Sequence, residues 1–154
     1  MAPAFGMEVI GWSRTRRSVE GASLTWVELD ELFRASDVVT LHVPLQAETA
    51  AIVNRRTLSL MKPTAYLINT ARGGLVVDDE LAAALSGESI AGAALDVVGV
   101  EEPPDASNPL FAAPNCIITP HIAWATREAR QRCLKEAARN LRAFLDGRER
   151  NRLV

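Results

Sequence analysis

Short apolar runs alternate along this chain with stretches whose apolar positions recur every three or four residues. The runs are Glu8–Trp12, Asp37–Val43, Ala65–Asn69, Ala91–Val97 and Cys116–Thr119, and they read as buried strands. Leu24–Ala35 places Trp26, Leu29, Leu32 and Phe33 at helical spacing, an amphipathic pattern whose start Ser23 or Thr25 could cap. Asn54–Leu60 reads as a short helix capped by Asn54. Asp78–Ser86 comes next, with Asp78 and Asp79 at its electropositive start and Gly87 at its end. The last helix, Thr126–Asp146, has Thr126 as cap, Glu128 in its first turn and Gly147 just beyond it. Pro103–Pro114 is too rich in proline for regular structure.

Strand–helix alternation of this kind predicts an α/β fold, a parallel sheet with helices on both faces joined by right-handed crossovers. Three of the strands end alike. Ala65–Asn69 runs into Thr70-Ala71-Arg72-Gly73-Gly74. Ala91–Val97 carries Asp96 and runs toward Glu101 and Glu102. Cys116–Thr119 runs into Pro120 and His121. The carboxyl ends of parallel strands line one edge of a sheet, where ligands bind. An arginine, a carboxylate and a histidine on that edge suit proton-coupled chemistry on an anionic substrate.

Each residue has a plainer alternative. Arg72 is either a surface arginine before a glycine turn or a planar fork for a carboxylate, on a backbone that two glycines let approach a ligand. His121, stiffened by the preceding proline, is either a hydrogen-bonded strand-end histidine or a proton donor and acceptor near neutral pH. His42, inside a strand-like run, reads as structural. Glu101 and Glu102 are a solvated acidic loop unless one pairs with an imidazole and fixes its tautomer. Asp96 ends an apolar strand, where an unpaired charge is costly, so a ligand or backbone hydrogen bond is expected for it. In a dinucleotide-binding sheet the end of the second strand faces the adenosine ribose, and an acid there favours NAD. Here Ser13-Arg14-Thr15-Arg16-Arg17 occupies that place, a solvated basic loop or a seat for the NADP phosphate.

Composition adds limits. The 154 residues are 48% hydrophobic and 23% charged, which suits one globular domain able to bury roughly 68–70% of its unfolded surface. A net charge of −2 with dispersed Lys and Arg argues against broad nucleic-acid or membrane-surface binding. No apolar run approaches a membrane span, and the first residues lack the pattern of a secretory signal. Cys116 and Cys133 have no metal or redox spacing and read as reduced, buried residues of a cytoplasmic protein. No metal site is expected.

Taken together, Asn69-Thr70-Ala71-Arg72-Gly73-Gly74, Ala94-Leu95-Asp96-Val97 with its Glu-Pro-Pro loop, Asn108-Pro109-Leu110 and Thr119-Pro120-His121-Ile122-Ala123-Trp124-Ala125-Thr126 resemble the D-isomer-specific 2-hydroxyacid dehydrogenases. The glycerate dehydrogenase and hydroxypyruvate or glyoxylate reductase group is the closest in flavour. The resemblance implies a Rossmann-like sheet and hydride transfer between NAD(P) and a small 2-keto or 2-hydroxy acid. Arg72 would bind the substrate, His121 would be the acid/base, and a glutamate would hydrogen-bond that histidine. Counting from Asp96 selects Glu101 and counting back from Pro103 selects Glu102; the strand-anchored register favours Glu101. Val43, Pro44, Thr49, Thr70, Ala71, Asp96 and Ala123 fall at positions resembling cofactor contacts, beside Ser13 and Arg14. NADP is the expected cofactor, with NAD as the alternative, and a cytoplasmic homodimer is the expected state.

The pattern departs from the family at its front. No G-x-G-x-x-G is present, so the first strand and its phosphate-binding turn are expected to be missing from a single dinucleotide-binding domain over residues 1–154. The helix at about 126–147 would pack toward a substrate domain. A sheet without its first strand should show an unpaired edge at a normally central position. Little or no dehydrogenase activity is expected of the chain by itself. The alternative is a non-catalytic nucleotide-sensing or dimerisation module of the same fold.

Overall fold

A computed structural model describes residues 2–16, 24–99 and 105–152. The chain divides into two compact units, Met1–Pro120 and His121–Val154. In the first unit the described strands form two parallel sheets. One pairs β1 (Ile10–Gly11) with β2 (Thr25–Trp26). The other runs β3 (Val38–Leu41), β4 (Tyr66–Asn69), β5 (Gly92–Leu95), β6 (Cys116–Ile118) in that spatial order. Among the described strands β1 pairs only with β2, and β3 is the end of the four-stranded sheet.

The larger sheet has one buried face. Val39, Leu67 and Ala93 share a row with Cys116 in the register, and Leu41, Asn69, Leu95 and Ile118 share another. Side chains of alternate rows point the same way, and these rows are buried apart from the half-buried Cys116 and Ile118. Three helices add to that core: Phe33 from α1 (Leu29–Ala35), Leu58 from α2 (Arg55–Leu58), and Leu81 and Leu85 from α3 (Asp78–Ser86), with connecting residues such as Val53, Leu75 and Leu110 completing it. The intervening rows point away and are more open, with Tyr66 52% and Ile117 68% exposed.

Local signals act where they were expected. Asn54 caps α2 in a full capping box: its side chain accepts from the Arg56 and Thr57 amides, while Thr57 Oγ1 accepts from the Asn54 amide at 2.9 Å. In the second unit Thr126 Oγ1 accepts from the Ala129 amide at the start of α4 (Arg127–Leu145). Gly147, at φ +66°, lies just past its end.

Three expectations are corrected. Thr25 and Trp26 are not the start of a helix but a strand, held by the Thr25 N–H to Val9 O and the Val27 N–H to Gly11 O, both at 3.0 Å. Pairing with β1 overrides the helical spacing, and α1 begins only at Leu29, after Glu28, with no side-chain cap bond. Ser23 lies outside the described residues. Within the proline-rich excursion, Pro109–Phe111 forms one 3-10 turn. Proline is allowed there because the first amide of a helical turn is unpaired anyway. Cys133 is exposed and Cys116 half-buried; both are free thiols.

Candidate functional site

The carboxyl edge of the larger sheet is set by its register. One position beyond the row Leu41, Asn69, Leu95 and Ile118 come His42, Thr70, Asp96 and Thr119. Asn69 is fully buried and shapes the turn after β4. Its Oδ1 accepts from the Ala71 amide at 3.0 Å, and its Nδ2 donates to Arg72 O at 2.9 Å. This side-chain turn reverses the backbone and leaves Arg72 exposed, its Nη1 donating to Ala71 O at 2.7 Å. The next residue packs against the backbone that follows β5. A Cβ added to Gly73 would lie 1.9 Å from Gly99 O, so only glycine permits this approach.

Asp96 is 5% exposed. Its amide donates to Asn69 O at 2.8 Å, and a carboxylate oxygen accepts from Thr119 Oγ1 at 2.5 Å. Where a ligand or backbone hydrogen bond was expected, a side-chain hydroxyl partners this buried carboxylate, and the ends of β4, β5 and β6 are joined. Thr119 continues the ladder through its amide to Leu95 O at 2.9 Å. His121 comes after Pro120, opens the second unit and is half-buried. Its φ is +53°, the left-handed region that non-glycine residues rarely enter and that concentrates at functional sites. Glu101 and Glu102 lie outside the described residues.

A cleft of about 640 Å³ lies where the chain leaves β1 and β3. Five of the expected cofactor residues line it: Ser13, Arg14, Val43, Pro44 and Thr49. Trp12, Trp26 and Glu48 line it too; the tryptophans sit at strand ends and read from the sequence only as core. Thr49 is buried and braces the wall, its Oγ1 donating to Pro44 O at 2.6 Å and accepting from the Gln46 amide at 2.9 Å. Arg14 and Glu48 face each other at 4.0 Å with both side chains about two-thirds exposed, so their pairing is weak. Thr70, Ala71 and Asp96 belong to the neighbouring strand ends rather than to this cleft, and Ala123 is in the second unit. His42, expected to be structural, is exposed, its Nε2 3.0 Å from Thr40 Oγ1.

Sequence reasoning missed Asn69 and Asp78. Asn69 carried a signal, since an asparagine two residues before a backbone amide is able to close such a turn. Asp78 read only as a helix-start acid.

A parallel sheet with its loops gathered at the carboxyl edge, beside a tryptophan-walled cleft, defines a nucleotide-binding α/β domain. The sequence profile of the D-isomer specific 2-hydroxyacid dehydrogenase NAD binding domain matches residues 1–123, and the chain belongs to that family. It is 44% identical over 148 residues to a hydroxypyruvate reductase of Blautia hydrogenotrophica, covering 96% of this chain and 46% of that protein. The fold matches the NADPH-dependent glyoxylate/hydroxypyruvate reductase of Sinorhizobium meliloti solved with NADP and malonate (TM-score 0.82, 35% identity, 93% of this chain and 44% of that one). It also matches the D-lactate dehydrogenase of Aquifex aeolicus solved with NAD and lactic acid (TM-score 0.84, 35% identity, 94% and 48%). The chain spans about half the length of the relatives it matches.

The cleft fits the adenosine half of such a cofactor. Trp12, Trp26, Val43 and Pro44 offer apolar walls for a base, and Ser13 and Arg14 offer a hydroxyl and a cation at the rim.

Proposed function

We propose that this chain is the cofactor-binding part of a reductase that uses NADPH to convert a 2-keto acid of the glyoxylate or hydroxypyruvate type into the 2-hydroxy acid. The observation that carries the reading is the carboxyl edge itself, where Asn69 folds the Arg72 turn against strand ends joined through Asp96 and Thr119. When bound, the nicotinamide supplies the hydride. The exposed Arg72 guanidinium binds the substrate carboxylate and steadies the carbonyl. His121 gives a proton to the carbonyl oxygen as the carbon accepts the hydride, and takes it back in the oxidation direction. Glu101, in preference to Glu102, is the glutamate this reading assigns to the His121 imidazole. Ser13, Arg14, Val43, Pro44, Thr49, Thr70, Ala71, Asp96 and Ala123 form the cofactor side. Arg14 stands where an acid would favour NAD. Its weak pairing with Glu48 leaves it able to meet a 2′-phosphate, which supports NADPH over NADH. A cytoplasmic homodimer goes with this reading.

The test uses the protein expressed from its full native reading frame, with NADPH absorbance monitored at 340 nm in the presence of glyoxylate and of hydroxypyruvate. Arg72→Ala and His121→Ala should each lower kcat/KM by about 10²-fold or more. Undiminished activity in either variant removes the role given to that residue, and a lower KM for NADH than for NADPH removes the cofactor preference.

A further inference from the structure

Asp78 has no place in the cleft, yet two points of the connection between β5 and β6 converge on it. It opens α3, and its Oδ2 accepts the Gly99 amide at 2.8 Å and the Asn108 side-chain Nδ2–H at 2.6 Å. Its Oδ1 is buried without a hydrogen-bond partner among the described residues. An aspartate that served only the helix dipole would be solvated rather than buried at its carboxylate. Leaving one carboxylate oxygen buried and unpaired is costly, so the two bonds made by the other must hold something in place.

Both partners are themselves fixed. Gly99, at φ +69°, turns the chain just after the buried Val97 and Val98. Its carbonyl oxygen lies where a Gly73 Cβ would be, at 1.9 Å, with Val98 C at 2.9 Å. The residue whose amide Asp78 grips is therefore the one on which the Arg72-Gly73 turn rests. Asn108 accepts the Leu110 amide at 3.0 Å through Oδ1 and gives its Nδ2–H to Asp78. Leu110 is buried in the core. Gly99 and Asn108 bracket Glu101 and Glu102 in the sequence.

We propose that Asp78 is a positioning residue for the keto-acid site. One carboxylate clamps both ends of the 99–108 segment and, through Gly99, sets the place of the Arg72 turn. The proposal rests on the reading of Arg72 as the substrate anchor. Asp78 itself touches no substrate.

Asp78→Ala, Asp78→Asn and Asn108→Ala, in the protein from its native reading frame, test it by amide hydrogen exchange and steady-state kinetics. In Asp78→Ala, exchange at Gly99 and across residues 70–75 should rise about tenfold or more, and KM for glyoxylate should rise about tenfold while KM for NADPH stays unchanged. Asp78→Asn keeps an oxygen able to accept both donors, so it should restore most of the protection and most of the KM. Unchanged exchange at Gly99 and residues 70–75, or an equal loss of affinity for keto acid and NADPH, overturns the clamp. If Asp78→Ala does not fold, Asn108→Ala removes one of the two bonds and should raise the glyoxylate KM by a smaller factor; no change overturns the proposal. Arg72→Ala separates the two claims. Undiminished turnover there refutes the anchor, while exchange at Gly99 still judges the clamp.

Discussion

Replacing Gly73 by alanine should damage this protein more than replacing its neighbour Gly74, although both glycines succeed Arg72 in one turn. The difference comes from the atoms each new methyl group meets. At Gly73 the Cβ would lie 1.9 Å from Gly99 O, 2.9 Å from Val98 C and 3.0 Å from Gly99 C. All three are backbone atoms and cannot rotate away. Restoring ordinary contact means moving the peptide by about 1.5 Å, an overpacking strain of roughly 1–3 kcal/mol. That movement also stretches the 2.8 Å bond from the Gly99 amide to the Asp78 carboxylate, worth about 1.5–3 kcal/mol for a charged acceptor. Part of the strain relaxes once the bond is lost, so about 3 kcal/mol is expected for the whole. For a chain of this size that lowers Tm by roughly 6–12 °C. At Gly74 the new methyl meets Leu45 Cδ2 at 3.0 Å, the end of an exposed and rotatable side chain. Gly74→Ala should therefore shift Tm by no more than about 2 °C. Thermal unfolding monitored by circular dichroism measures both. A Gly73→Ala protein melting within about a degree of the parent, or less damaged than Gly74→Ala, refutes the close-approach argument.

Other parts of the structure lead to two more expected outcomes. Asn54→Ala removes the capping box of α2, together with the Nδ2 donation to Ala51 O at 2.8 Å. It should cost about 1–2 kcal/mol in urea unfolding, and a midpoint unchanged from the parent counts against the cap. Burial pushes the Cys116 thiol above its ordinary pKa, and the nearby Asp78 charge adds to this. A raised pKa means less thiolate at mildly alkaline pH, so mass spectrometry should find Cys133 alkylated by iodoacetamide well before Cys116 in the folded protein. In urea the two should react at similar rates, and equal rates in the native state contradict the burial of Cys116.

Arg72 and His121 stood out in the sequence because each comes just after an apolar run. A strand buried in a parallel sheet must be apolar throughout, so the first ionisable residue beyond it marks the carboxyl edge. The caps at Asn54 and Thr126 were legible for a similar reason: a helix start needs a side-chain acceptor within three residues, and that need is local. Thr25 and Trp26 were misread because their spacing fits a helix, while their hydrogen bonds go to a strand some fifteen residues earlier in the sequence. The exposure of Cys133 was missed because an isolated helix does not say which of its faces will be covered.

Sequence alone determined the alternation of strands and helices, their parallel order and the residues delivered to one edge, since each stems from hydrophobic period, turn chemistry and the handedness of crossovers. Tertiary structure decided what those residues rest on. Asn69 folding the Arg72 turn, Asp96 meeting Thr119, and Asp78 reaching Gly99 and Asn108 join segments up to thirty positions apart. Such contacts depend on register and on backbone approaches between segments distant in sequence, to which the pattern of apolar and polar residues is blind.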